Sequence, residues 1–281
     1  MQDLHDEIRA NVQRALQEDI GSGDLTAALI PEEAALAATV ISRENGVLCG
    51  TQWFEACFRS LDPASTVEWF AKDSDGVQAG QELCKIRGNA RALLTAERSA
   101  LNFLQLLSAV ATQARQFVDA IAETGAVIVD TRKTLPGLRL AQKYAVMCGG
   151  GVNHRIGLYD GILIKENHII AAGGIQPALN KAREIAPPGV FVQIEVESLQ
   201  ELQEALAADA RMVLLDNFTS AQLSEAVAFT RQQTGAPVIL EASGNITLEN
   251  VRQVAETGVD RISIGSLTKN IQALDLSMRF V

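Results

Sequence analysis

A chain of 281 residues with 47% hydrophobic content can bury one large core or two modest ones. Its formal net charge of −10 disfavours nucleic acid and anionic membranes as partners, because both reward basic faces, but leaves room for a small polyanion in one basic pocket. Residues 1–30 hold no uninterrupted apolar core, and no stretch of about 20 apolar residues offers a membrane span, so a soluble, cytoplasmic protein is expected.

Leu4, Ile8, Val12 and Leu16 predict a first helix over residues 4–18, ended by Gly21-Ser22-Gly23. Asp24 and Thr26 in the GDLT segment that follows read as capping and turn residues. Residues 37–50 are β-rich, with Glu44-Asn45-Gly46 as a hairpin turn, and TVEWF and ELCKIRG within 66–87 read as further short strands around a turn at 73–80. The N-terminal part is therefore expected to be a small α+β unit. A long helix follows over 89–123, with Leu93, Ala96, Ala100, Leu104, Leu107, Ala111, Ala114, Val118 and Ile121 at helical spacing. Its Arg98, Asn102 and Gln105 form a polar stripe that is either a solvated face or an anion ligand offered to a site built elsewhere.

From residue 125 the rhythm becomes strand, loop, helix. Strands are expected near 126–130, 161–165, 190–196, 211–215, 237–241 and 261–265, with helices over 175–185, 199–207, 220–233 and 248–257. This alternation predicts a parallel sheet with crossover helices, and the polar or glycine residues at nearly every strand end favour a barrel over a doubly wound sheet. With six strands visible, the barrel is expected to be incomplete. No GxGxxG fingerprint supports a dinucleotide fold. Cys49, Cys57, Cys84 and Cys148 are irregularly spaced without a CxxC pair, the pattern of reduced, buried thiols rather than of a zinc or redox motif.

Residues 131–168 gather Arg132, Lys133, Arg139, Lys143, Arg155 and Lys165 against Asp160 and Glu166, a local balance of +4 in an acidic chain. The same stretch carries His154, His168 and the run Gly149-Gly150-Gly151, which could let backbone approach a ligand. Such a cluster reads as the floor of an anion site. In the strand at 190–196, Gln193 and Glu195 alternate with apolar residues, and Glu197 continues the same face. Asp216 ends the next strand. Two acids beside a basic floor fit a Mg²⁺-bound polyphosphate, or else an ion-pair network that closes the barrel. The segments Ser243-Gly244-Asn245 and Gly265-Ser266-Leu267 follow the last two strands, where backbone N–H groups bind a monophosphate or simply make a tight turn.

These motifs resemble one family. DTRKTLPGLR (130–139), GGGVNHRIGLYDGILIKENHI (149–169), EVE (195–197), LLDNF (214–218), EASGNI (241–246) and GVDRISIGSLTK (258–269), with ERSALNFLQ (97–105) and the GDLT turn, are similar in order to quinolinate phosphoribosyltransferase, the carboxylating nicotinate-nucleotide pyrophosphorylase. The resemblance implies conversion of quinolinate and phosphoribosyl pyrophosphate (PRPP) to nicotinate mononucleotide, CO₂ and pyrophosphate, with Mg²⁺, in NAD biosynthesis. It implies an N-terminal open sandwich over 1–112 joined by 270–281, a barrel over 113–269, and a homodimer whose sites are completed across the interface. Arg132, Arg155 and Lys165 would hold the quinolinate carboxylates, with Thr131 and His154 nearby and Arg98 reaching in from the partner subunit. Lys133 would serve the pyrophosphate end of PRPP. Glu195 and Asp216 would face the ribose and Mg²⁺, and Ser243, Gly244, Asn245, Gly265, Ser266 and Leu267 the 5′-phosphate. Asn245 stands where members often carry glycine, and Lys269 where some carry histidine, so position 269 stays outside the expected site. The competing expectations are a related transferase with another aromatic acid acceptor, such as nicotinate, and a non-catalytic phosphate-sugar sensor.

Overall fold

The structure, a computed structural model, describes residues 4–233 and 236–280; residues 1–3 and 281, the outer ends of the expected first domain, lie outside the described residues. The first half of the chain forms α1 (Leu4–Ile20), β1 (Ala35–Ser42), β2 (Gly46–Val47), α2 (Thr51–Leu61), β3 (Thr66–Trp69), β4 (Gly76–Val77), β5 (Glu82–Asn89), α3 (Ala90–Ala120), β6 (Val127–Val129) and α4 (Arg139–Cys148). The second half forms β7 (Gly161–Ile164), α5 (Glu166–Ala172), α6 (Ile175–Ile185), β8 (Phe191–Val196), α7 (Leu199–Ala207), β9 (Met212–Asp216), α8 (Ser220–Gln232), β10 (Ile239–Ser243), α9 (Val251–Ala255), β11 (Arg261–Ser263), α10 (Ser266–Lys269) and β12 (Leu276–Phe280). No helix among the described residues is long and apolar enough to cross a membrane.

The chain divides into two compact units. The first draws on the described residues of Met1–Arg115, Thr134–Gly150 and Ser266–Val281, the second on Gln116–Lys133 and Gly151–Gly265. In the first unit an antiparallel sheet runs in the order β12-β1-β5-β3. The expected hairpin at 44–46 does not form. Both edges of β1 are already taken, by β5 from Ala35 to Ile41 and by β12 from Ala38 to Ser42. The chain therefore leaves the sheet at Glu44, whose carbonyl accepts the Ser42 hydroxyl, and β2 pairs with β4 instead. Helix α2, which the strand patterns did not reveal, buries Trp53, Phe54, Cys57 and Phe58 on one face. Phe54 packs edge-on to Phe58 and to Trp69, and the Trp53 indole N–H donates to Asn11 Oδ1 at 3.1 Å. Asp24 Oδ1 accepts the N–H groups of Thr26 and Ala27, the expected turn role, and its Oδ2 accepts the Thr95 hydroxyl. All four cysteines are free and buried.

The segment carrying α4 was expected to lie within the barrel, but packs in the first unit. Its contacts explain why. Asn11 Nδ2 donates to the Gly137 carbonyl at 3.3 Å, Tyr144 donates to Asp73 Oδ2 at 2.8 Å and lies 5.6 Å from the Trp53 ring, and Arg115 Nε donates to the Gly149 carbonyl at 3.0 Å. The glycine run read as an approach to a ligand is, at Gly149, an approach to α3. A Cβ there would fall on the Ala111 carbonyl and within 2.5 Å of Ala114 Cβ. Gly149→Ala is accordingly expected to destabilise the protein by about 1–3 kcal/mol through overpacking. A chemical denaturation midpoint equal to that of the unsubstituted chain would contradict this.

The second unit is a six-stranded sheet in the order β6-β11-β10-β9-β8-β7, parallel at every pairing. β6 and β7, neighbours in sequence, stand at its two ends, so the barrel is incomplete between them, and among the described residues β6 takes a single parallel bridge on that side, from Val152. Ile194, Val196, Val213, Leu215, Leu240 and Ile262 are fully buried. That apolar layer is what fixes strand register, because a one-residue slip would put each of them on the opposite face. Helices α6 and α7 begin and end where the apolar period places them. α9 is shorter than expected because Thr247 and Asn250 close a turn on each other instead. His168 is used locally, its Nδ1 accepting the Lys165 N–H at the start of α5.

Candidate active site

The strand ends of the second unit surround a cavity of about 160 Å³. Thr131, Arg132 and Lys133 reach it from the loop after β6, His154 and Arg155 from beyond the Val152 bridge, Lys165 from the end of β7, Glu195 from β8 and Ser243 from β10. Strand periodicity of two aims Leu163 with Lys165, and Glu241 with Ser243, into one space. Of the six cations expected on the floor, Arg132, Lys133, Arg155 and Lys165 line this cavity. Arg139 and Lys143 are carried by α4 in the first unit, with Arg139 Nε on Thr134 Oγ1 and Lys143 buried.

The cations are crowded. Burial lowers the Arg155 guanidinium from its usual value, and the neighbouring charge of Arg132 lowers it further. Arg155 spends one N–H on the Gly161 carbonyl at 3.1 Å, while the buried Nε of Arg132 has no hydrogen-bond partner. A buried guanidinium N–H without an acceptor is costly, and two like charges side by side call for an anion between them. Lys165 Nζ is paired with Glu195 Oε2 at 2.6 Å. Gly265 leaves room for the Lys133 stem, since a Cβ there would stand 3.0 Å from Lys133 Cδ.

Beside the cations lie three acids. Carboxylate oxygens of Glu195, Glu197 and Asp216 fall within 4.8 Å of one another. Desolvation pushes the Glu197 carboxyl up, and the charges of Glu166, Asp216, Glu201 and Glu195 push the same way. This surplus of negative charge, made of hard oxygen donors, fits a divalent cation such as Mg²⁺. Asn217 Nδ2 donates to Asp216 Oδ2 at 2.8 Å, and Asn245 Nδ2 reaches Asn217 Oδ1 at 3.3 Å. Ser243, Gly244 and Asn245 border a second cavity, of about 180 Å³, with Asn217 to Ser220 opposite. Gly244 is at φ 97°, and a Cβ on it would collide with the Asn217 side chain and approach its backbone N to 2.9 Å, so only glycine keeps these two loops together.

Three expected residues lie in the first unit. Arg98 is exposed on α3, bordering a cavity with Arg14, Glu18, Asp19 and Asn102. Ser266 and Leu267, next in the chain after Gly265, open α10, where Leu267 is fully buried. Sequence reasoning missed Asp130, Glu241 and Ser263 in the cation cavity. The strand alternation that singled out Glu195 applies equally to Glu241 and Ser243. A larger cavity of about 720 Å³, lined by Asp209, Arg211, Arg231 and Asp260, is a poorer candidate. There Arg231 pairs with Asp260 and Arg211 with Asp209, so its charges are already spent.

Comparison with known proteins points the same way. Residues 24–108 match the family described as quinolinate phosphoribosyl transferase, N-terminal domain, and residues 110–279 match its C-terminal domain. The chain is 42% identical over 281 residues to the nicotinate-nucleotide pyrophosphorylase [carboxylating] of Mycobacterium leprae, covering 97% of each chain. It is 40% identical over 274 residues to the probable enzyme of that name from Bacillus subtilis, covering 98% of this chain and 93% of the other. The solved nicotinate-nucleotide pyrophosphorylase from Francisella tularensis superposes with a TM-score of 0.93 at 44% identity, over 98% of this chain and 96% of that one. Both domain matches, the identity along nearly the whole chain and the arginine-lined cavity lead to one conclusion: the chain belongs to the quinolinate phosphoribosyltransferase family.

Proposed function

We propose that the chain transfers the phosphoribosyl group of PRPP to quinolinate with loss of CO₂, giving nicotinate mononucleotide and pyrophosphate in de novo NAD biosynthesis. The observation that carries this is the crowded pair Arg132 and Arg155, with an unpartnered buried N–H on Arg132, in a cavity that also holds Lys133 and Lys165. A monocarboxylate would leave part of this charge buried and unpaired, whereas a dicarboxylate uses it. In this reading Arg132, Arg155 and Lys165 bind the two carboxylates and Lys133 meets the pyrophosphate. Departure of pyrophosphate builds positive charge on the ribose, which the Glu195 and Asp216 carboxylates stabilise. Ser243, Gly244, Asn245 and Gly265, with Ser266 and Leu267, are assigned to the 5′-phosphate. Mg²⁺ would be held by Glu195 and Asp216 and would neutralise phosphate charge on PRPP. Titration calorimetry tests the acceptor assignment: quinolinate is expected to bind more tightly than nicotinate, and equal affinities would contradict it.

The same reading makes the protein a cytoplasmic homodimer in which Arg98 of each subunit serves the other's site. Four free cysteines suit a reducing compartment. The exposed side chains of Leu25, Leu29, Leu158 and Tyr159 supply apolar surface for a subunit contact. Arg98→Ala and Lys133→Ala proteins are each expected to be inactive, and mixing them to recover activity. No recovery once subunit exchange is demonstrated would place the whole site in one chain.

A further inference from the structure

Glu241 lies on β10 with its side chain fully buried, and a carboxylate in a barrel interior is costly unless it is paired and hydrogen-bonded. Arg261 Nε stands 3.1 Å from its Oε2, although the N–H is not aligned for a hydrogen bond. Gln193 Nε2 donates to the same oxygen at 3.2 Å. The other end of that amide, Oε1, meets His154 Nε2 at 2.8 Å, while His154 Nε2 is 3.6 Å from Glu241 Oε1. On the far side of the ring, Nδ1 accepts the main-chain N–H of Arg155 at 2.7 Å, and the His154 N–H is held by Asp130 Oδ1 at 2.8 Å. A ring nitrogen that accepts carries no proton, so this geometry calls for the His154 proton on Nε2, facing Gln193 Oε1.

We propose that Gln193 and Glu241 are positioning residues that lock His154 as its neutral Nε2–H tautomer, and that His154 in turn pins the Arg155 main chain so that its guanidinium stands beside Arg132. The proposal rests on reading this cavity as the acceptor site. The chain of contacts has a direction set by chemistry. Glu241 can only accept when ionised, which orients the Gln193 amide with its N–H₂ inward and its carbonyl toward His154, and that carbonyl selects the Nε2–H form. His154 is therefore a spacer whose two nitrogens are both spent inside the protein, rather than a further cation for substrate. The positive charge that meets the acceptor comes from arginine and lysine alone. Replacing Gln193 with an apolar residue frees the ring to turn and lets Arg155 drift from Arg132.

Two measurements decide this. The first uses the unsubstituted full-length chain labelled with ¹⁵N-histidine, which has three histidines, with the His154 signals assigned by comparison with His154→Asn. At neutral pH the expected pattern has Nε2 protonated and Nδ1 bare. An imidazolium pattern, or the Nδ1–H tautomer, overturns the proposal with no assay of turnover. The second is steady-state kinetics of Gln193→Leu, where the KM for quinolinate is expected to rise by up to roughly 100-fold from misplacement of Arg155 while the KM for PRPP moves little. Glu241→Gln, which can still accept from Gln193, should keep much more quinolinate affinity than Glu241→Leu. Unchanged quinolinate KM in Gln193→Leu, or an equal rise in both KM values, overturns the positioning role. Absence of any quinolinate turnover by the unsubstituted chain would instead sink the assigned activity, leaving the tautomer result to stand on its own.

Discussion

Arg132→Ala is expected to raise the KM for quinolinate by roughly 100-fold or more while leaving PRPP binding nearly unchanged. A guanidinium that meets a carboxylate through charge-assisted, forked hydrogen bonds contributes about 2–4 kcal/mol, and each 1.4 kcal/mol is about a factor of ten in affinity. The size of the effect follows from the state of the residue before substrate arrives. Its buried Nε has no partner, and Arg155 beside it is depressed first by burial and then by the charge of Arg132, so binding energy is available that a surface arginine would already have spent on water. Arg132→Lys keeps the charge but loses the fork, and is expected to fall between the two. Steady-state kinetics with each substrate varied in turn checks this. An alanine variant with unchanged quinolinate KM would remove Arg132 from the acceptor site.

Asp216→Asn is expected to act on the other substrate parameter, lowering kcat by about 100- to 1000-fold, the usual scale for removing one group that stabilises developing charge. Its effect on stability should have the opposite sign. Asp216 shares its space with Glu195 and Glu197; desolvation raises the Glu197 carboxyl, and repulsion from neighbouring carboxylates, Asp216 and Glu195 among them, raises it further. Neutralising one of them relieves that repulsion, so the variant should unfold at an equal or higher denaturant midpoint than the unsubstituted chain. That pairing of lost activity with kept or improved stability is what a residue whose charge serves the chemistry, at a cost to the fold, should show. A variant that loses activity and stability together would instead make Asp216 a structural residue. Asn217, which donates to Asp216 at 2.8 Å, can still bond the asparagine oxygen, so local geometry should survive the change.

The barrel half was legible because its information is local. In each βα unit the apolar period, the turn and the next strand lie close together in sequence, and α6 and α7 were placed to the residue. The first unit was less legible because its decisive contacts are distant. Nothing near Asn45 says that β1 will be paired by β12 rather than by β2, and nothing within α4 says that Asn11, Trp53, Asp73 and Arg115 will hold its segment. The cationic floor could be read because excess positive charge stands out in an acidic chain. The alternation that singled out Glu195 also reaches Glu241, but an acid on or beside a strand looks the same in sequence whether it meets solvent, a salt bridge or a histidine, so the partners of Glu241 and Asp130 could not be read. Gly149 shows the same limit: its missing Cβ makes room for α3, and only packing distinguishes that from room for a ligand.

If the surplus cations of the barrel cavity serve the second carboxylate of a dicarboxylic acceptor, CO₂ and pyrophosphate must leave together. Purified protein with PRPP, Mg²⁺ and quinolinate is expected to release them in equal amounts, and to release neither when nicotinate replaces quinolinate. Pyrophosphate release with nicotinate at a comparable rate, or pyrophosphate without CO₂ from quinolinate, would take that role away from the cations.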